Sequence, residues 1–345
     1  IKNSRNNKMT SPIKMANITL EWVQTLQRWH LQLFLIPTAL VTLATLLTSP
    51  VLMACICLSR ALRQETRYLL VANTLAADLI FLILNLTKVL CNTLTAEMPW
   101  RLCELLTAVT VTTHSCAILT VTLMVADTFA AVRWPLHYRE LLPPARTHCI
   151  LLVVWAVAAL YPFSLVIMME VGRESPPEKM SVCLVLISLG FIEAKNTVGV
   201  HIYFFVAATV CILLILYCYI RLYMVTKTHG IWQRRFSRAR VTLLAHGVLL
   251  LLYFAPGALF TVELYLLKTD GIGQDVHVWI NTVNMCIFML LPRLFAPFLY
   301  GMRYREISDT LLQLLHRHRQ LSQLHFPPVP CLPKTGHPRR SLTNG

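Results

Sequence analysis

The chain has 345 residues, of which 56% are hydrophobic and only 14% charged, and its formal net charge is +15. A soluble domain of this size would carry about 25% charged residues, so composition excludes a water-facing globular domain. The positive charge would suit nucleic acid, but Lys and Arg are confined to short segments between apolar runs, which argues against that partner.

Residues 1–32 are polar and too short to bury a core. They lack the short apolar centre and small-residue cleavage site of a removable leader, so the first apolar run is expected to be the anchor. Asn17-Ile18-Thr19 is an N-glycosylation sequon in this tail. Seven apolar stretches follow, at 33–58, 68–91, 103–132, 148–169, 200–225, 240–267 and 277–302. Each reaches the ~20 residues that a helix needs to cross a bilayer. Lipid offers no partners to backbone N–H and C=O, so each is expected to be a helix. A second sequon, Asn85-Leu86-Thr87, lies inside the second stretch, out of reach of glycosylation. In 303–315, Tyr304, Ile307, Leu311, Leu314 and Leu315 share one face, the pattern of a helix lying flat on the membrane. The expected fold class is an all-α membrane protein: a seven-transmembrane helix bundle with a short amphipathic eighth helix. The expected organisation is an outer tail at 1–32, the bundle at 33–302, and an amphipathic helix with a polar tail at 303–345.

Segments 59–67, 133–147, 221–240 and the tail from Arg303 hold most of the Lys and Arg. They are alternate connections and therefore share one side. The positive-inside rule puts that side, and the C-terminus, in the cytoplasm of a cell-surface protein. Lys2, Arg5, Lys8, Lys14 and Arg28 in the N-terminal tail run against the rule. The third inner segment, with Arg221, Lys227, Arg234, Arg235, Arg238 and Arg240, suits anionic lipid or an acidic protein partner.

The eleven cysteines include no C-x-x-C pair and no metal-ligand spacing, so no metal and no cofactor is expected. Cys55, Cys57, Cys116, Cys211, Cys218 and Cys286 read as small buried hydrophobes. Cys103 and Cys183 both fall on the outer side, where a disulfide could form, with Cys91 as a competing partner. Cys331 lies among prolines beyond the amphipathic segment, a poor site for lipidation.

Ionisable residues at membrane depth are costly, which makes Asp78, His114, Asp127 and Arg293 functional candidates. Asp78 and Arg293 each lie about ten residues, or ~15 Å, above the inner ends of their helices. Their common depth predicts an ion pair. Thr107, Thr110, Val111 and His114 fall at helical spacing on one face.

Several motifs in order resemble the rhodopsin-like (class A) G-protein-coupled receptors. Asn73-Thr-Leu-Ala-Ala-Asp78 resembles the helix-two signature, and Asp127-Thr-Phe-Ala-Ala-Val-Arg-Trp-Pro-Leu-His-Tyr138 the end of helix three. Trp155 with Pro162 resembles helix four, Cys218-Tyr219 the inner end of helix five, and Pro256 the helix-six kink. Ala296-Pro297-Phe-Leu-Tyr300 resembles the end of helix seven. Segments 62–73, 227–232, 237–244 and 290–293 are closer still to one orphan member of that family. The resemblance implies a receptor with a Cys103–Cys183 disulfide, a heterotrimeric G-protein partner, and switch positions at Asp127, Thr128, Tyr219, Pro256, Pro297 and Tyr300. It implies a ligand pocket among Thr110, Val111, His114, Phe254, Thr261, Thr282 and Cys286.

The departures are informative. Thr128 stands where the family has an arginine that contacts the G protein, and Phe254 where it has Trp. Cys211 replaces the helix-five proline, Ala296 the helix-seven Asn, and Ser49-Pro50 a Gly-Asn. The family's sodium site loses polar ligands at Ala117 and Ala296 and gains Arg293 as a neighbour, which predicts sodium insensitivity. Thr110 stands where amine receptors carry an acid, so a monoamine ligand is not expected. Glu97, Glu104, Glu170, Glu174, Glu178, Glu263, Asp270 and Asp275 give the outer side an acidic lean, which would steer a cationic peptide. An atypical seven-helix receptor without conventional coupling, and a chemosensory receptor, are the competing readings. Enzyme motifs such as H-E-x-x-H and G-x-S-x-G are missing, and 277–302 has no lysine for a retinal Schiff base.

Overall fold

The structure is a computed structural model of the chain. It describes residues 28–94, 98–134, 143–171, 179–180, 183, 194–228, 233–269, 274–303, 309–310 and 312. The sequon at Asn17, most of the expected eighth helix and Cys331 lie outside the described residues, as do Glu97, Glu174, Glu178 and Asp270.

The apolar stretches fold as the helices α1 (Arg28–Leu58), α2 (Thr66–Thr93), α3 (Trp100–Arg133), α4 (Pro144–Val171), α5 (Ala194–Thr228) and α6 (Gln233–Thr269). The seventh span is composite: α7 (Gln274–Val283), a π-helical turn at Asn284–Phe288, and α8 (Leu291–Arg303). A four-residue helix, Arg60–Arg63, joins α1 to α2 and is capped by the Ser59 side chain. Among the described residues, six helices have the length and apolar composition to cross a membrane, and α5 adds a shorter apolar helix at Phe205–Arg221. The chain is a multi-pass membrane protein built as a seven-helix bundle.

Burial separates core from lipid-facing positions. α3 is the central element, with Cys116, Ala117, Val121, Met124 and Val125 buried. α4 and α5 sit at the periphery and expose Leu152, Val153, Leu160, Phe205, Val210 and Leu213. Such apolar side chains would be a liability in water but match an acyl-chain solvent.

The seventh span was expected to be one regular helix over 277–302. Instead the Met289 N–H bonds the Asn284 carbonyl, five residues back, at 2.9 Å. Pro292 explains the break, because a proline has no N–H to donate and its ring crowds the carbonyl of the preceding turn. One extra residue per turn relieves that clash. At the start of the widened turn, the Asn284 side chain donates to the Pro256 carbonyl of α6 at 3.2 Å.

At the end of the bundle that the charge pattern leads one to expect outside (the outer end), Met98–Pro99 (β1) pairs antiparallel with Lys179–Met180 (β2), with Met98 opposite Met180. This small ribbon holds part of the α4–α5 connection over the start of α3.

Candidate functional site

The densest polar cluster lies at mid-bundle. Asp78 on α2 is 1% exposed and Arg293 on α8 is 0% exposed. Arg293 Nε faces Asp78 Oδ1 at 3.6 Å, an ion pair too long for a hydrogen bond. Tyr253 of α6 donates its hydroxyl to the other oxygen, Asp78 Oδ2, at 2.5 Å. The guanidinium also reaches His114 on α3, with Nη2 2.6 Å from Nδ1. Arginine has no acceptor, so Nδ1 must accept, which fixes the imidazole as neutral with its proton on Nε2. Nη1 donates to the Met289 carbonyl beside the π turn. The guanidinium carbon lies 3.4 Å from the centre of the Phe81 ring, and His114 packs between Phe81 and Tyr253 at 5.9 and 6.0 Å. One charge thus ties α2, α3, α6 and the seventh span together.

A second polar link stands nearer the inner side. Trp155 of α4 donates Nε1 to Asn73 Oδ1 at 3.0 Å, and Asn73 donates Nδ2 to Thr120 Oγ1 at 2.9 Å. It fixes α2, α3 and α4 in register.

The outer end is pinned by the Cys103–Cys183 disulfide, with Cα atoms 5.7 Å apart. Cys91 is a free thiol packed beside it. Asn92 clamps the same loop from α2, donating to the Cys183 carbonyl at 3.1 Å and accepting from the Cys183 N–H at 2.8 Å.

The pocket positions divide. The Thr110 and Thr261 hydroxyls return to their own helices, donating to the Leu106 carbonyl at 2.6 Å and the Gly257 carbonyl at 2.9 Å. Phe254 and Thr282 are buried, Val111 is partly buried, and His114 is held by Arg293. Cys286 turns towards α1, its thiol 3.8 Å from the Leu33 carbonyl. Two of the expected outer acids are not free surface charges. Glu104 is buried, and Glu170 pairs with Arg101 at 3.2 Å. The side chains of Glu263 and Asp275 lie outside the described set.

On the inner side, Asp127, Pro297 and Tyr300 are buried, and Thr128 donates its hydroxyl to the Met124 carbonyl at 2.8 Å; Pro256 is buried further up α6, just beyond Tyr253. Tyr300 packs near His246 of α6, ring centres 6.4 Å apart. Tyr219 is 43% exposed, whereas Tyr300 is fully buried. Of the basic inner positions, Arg221 is exposed; the side chains of Lys227, Arg234, Arg235, Arg238 and Arg240 lie outside the described set.

Sequence reasoning passes over Tyr253, whose hydroxyl has no signature in an apolar run. It also passes over Lys88, which did carry a signal: a lysine inside a membrane span is costly wherever it points.

The described chain is thus a seven-helix bundle with a polar joint at mid-depth and a loop pinned by a disulfide. Residues 50–300 match the 7 transmembrane receptor (rhodopsin family), and the chain belongs to that family. It is 31% identical over 275 residues to the human protein named Probable G-protein coupled receptor 148, covering 79% of each chain. It is 21% identical over 256 residues to the zebrafish Odorant receptor 131-2, covering 72% of this chain and 75% of that one.

Proposed function

We propose that the chain acts at the plasma membrane as a receptor that relays the binding of an extracellular ligand to heterotrimeric G proteins. In this reading the N-terminal tail, glycosylated at Asn17, is outside and the tail after 303 is cytoplasmic. The observation that carries it is the joint at Arg293, where charge and hydrogen bonds from α2, α3, α6 and the seventh span converge. A ligand that shifts any of these spans in the outer half must also shift the others, which is what transmission between two faces requires. The ligand contacts would come from Thr110, Val111, His114, Phe254, Thr261, Thr282 and Cys286. The coupling switch would use Asp127, Thr128, Tyr219, Pro256, Pro297 and Tyr300. The ligand is not a monoamine, because Thr110 offers no negative charge to an ammonium.

Thr128 favours a second reading, a seven-helix partner for another receptor without coupling of its own. The test is basal signalling across the main G-protein classes, wild type against Thr128→Arg at matched surface level. Signalling by the wild type, with only its level altered in the variant, supports the receptor reading. A silent wild type beside an active variant moves the partner role ahead. The likeness to an odorant receptor favours a chemosensory ligand, which expression confined to sensory epithelium would support.

A further inference from the structure

Above Asp78, the inward face of α2 continues as a buried stripe through Phe81, Asn85, Lys88 and Asn92. Lys88 is 4% exposed, and among the described residues its ammonium makes no hydrogen bond or ion pair. A long side chain near a helix end normally snorkels to the headgroups, so a lysine this deeply covered is unusual. An isolated ammonium removed from water is unfavourable unless an opposite charge joins it.

Register places a second unpartnered group at its level. α2 and α3 run in opposite directions, and two contacts set their levels. Phe81 packs on His114 at 5.9 Å, while Asn92 holds Cys183, which is bonded to Cys103. Lys88 lies seven residues above Phe81, and Thr107 lies seven residues above His114. Lys88 is four residues below Asn92, and Thr107 is four residues below the level of Cys103. Both counts put Lys88 and Thr107 at one height, about one turn, or ~6 Å, beneath the pinned loop. Thr107 is 7% exposed and its hydroxyl has no hydrogen-bond partner among the described residues. Its neighbours differ: Thr110 and Thr112 donate to carbonyls of their own helix, the usual resort of a threonine in a lipid span.

Among the described residues, no acid forms an ion pair with Lys88. Asp78 is engaged by Arg293 and Tyr253 well below it. Glu104, one turn further out on α3, is buried and engaged in an interaction of its own, and neither of its carboxylate oxygens takes a hydrogen bond from Lys88.

We propose that Lys88 and Thr107 form an anion-binding corner in the outer half of the bundle, and that the receptor's ligand presents a carboxylate or similar oxyanion to it. This rests on the reading of the outer half as a ligand pocket, and deepens it by assigning the ligand's charge. The ammonium supplies the counter-charge and the free hydroxyl a directed donor, a pairing that stabilises an oxyanion more than a neutral group.

The test uses the purified full-length protein in detergent, followed by thermal unfolding. Sodium octanoate is the probe, with octan-1-ol and octylamine as neutral and cationic controls of equal chain length. Octanoate raises the melting temperature of the wild type, and neither control does so comparably. Lys88→Met and Thr107→Val weaken half-saturation by octanoate roughly tenfold or more, while Lys88→Arg retains most of it. Without any ligand, Lys88→Met is at least as stable as the wild type, because it removes a buried unpaired charge. No octanoate shift, an equal shift with octanol, or an unchanged shift in Lys88→Met overturns the proposal. So does a ligand-free Lys88→Met protein that melts below the wild type, since that means a structural partner holds the lysine. The readout involves no signalling, so a chain silent towards G proteins leaves this result standing, and failure with octanoate leaves the coupling result standing.

Discussion

A guanidinium with no exposed surface must satisfy its N–H groups inside the protein. Arg293 does so with the Met289 carbonyl, the His114 ring and the Asp78 carboxylate, and rests its face on Phe81. Removing one member leaves the other charge buried and alone, which costs about 3–5 kcal/mol. Arg293→Met and Asp78→Asn are therefore each expected to lower thermal stability and surface expression sharply. The double variant Asp78→Leu with Arg293→Met should lose far less than the sum, because an apolar pair of similar volume leaves no uncompensated charge. Additive losses in thermal unfolding would count against a coupled pair. The same geometry bears on sodium. A fixed cation already occupies the neighbourhood of Asp78, with Ala117 and Ala296 buried there without polar side chains. An ion that finds no site cannot shift stability. Exchanging sodium for choline at constant chloride is expected to leave the melting temperature and ligand affinity unchanged; a sodium-dependent rise in either would overturn this.

At the scale of elements, the outer loop shows how two weak constraints act as one. The disulfide fixes Cys183 to α3, and Asn92 fixes the same residue to α2 through both its backbone groups. Losing Asn92 leaves a buried N–H and C=O unpaired, at about 1–3 kcal/mol each. Asn92→Ala is expected to destabilise clearly but less than Cys103→Ala, and the double variant to be less than additive, since both hold one loop. A thermal-shift series on the three variants checks this. The elements also show what is legible in a sequence. Span lengths follow from bilayer thickness, so the seven helices could be counted from hydropathy alone. Asp78 and Arg293 could be assigned one depth from helical rise, and the structure has them 3.6 Å apart. The hydrogen bond from Arg293 to His114 was not accessible in this way, because it depends on the rotamer of a long side chain and on the turn of α8 about its axis. That turn is set by the π segment, whose cause, Pro292, is visible but whose form is not: a proline can kink, unwind or over-widen a helix. Cys286 illustrates the consequence, since family position alone puts it with the pocket residues, whereas the widened turn brings its thiol towards α1.

For the whole molecule, the remaining question is which side each end occupies, and charge and chemistry address it independently. The basic residues cluster in alternate connections, and a cytoplasmic leaflet rich in anionic lipid favours each nearby Lys or Arg by about 1 kcal/mol. The N-terminal tail is itself basic, with Lys2, Arg5, Lys8, Lys14 and Arg28, and by charge alone would resist translocation. The disulfide opposes that pull. Cys103 and Cys183 are joined at the end of the bundle where α2 ends and α3 begins, and such a bond persists in an oxidising compartment. The start of α1 shares that end, since α1 and α2 are successive crossings and α2 runs towards the disulfide. The N-terminal tail is therefore expected outside despite its charge. An epitope placed before residue 28 should be stained on intact cells, and one after residue 312 only after permeabilisation. Asn17→Gln should remove the glycosidase-sensitive shift of the chain on a gel, while Asn85→Gln, buried on α2, leaves that shift unchanged. Staining of the C-terminal epitope on intact cells would reverse the topology, and with it the assignment of Lys88 and Thr107 to an extracellular pocket.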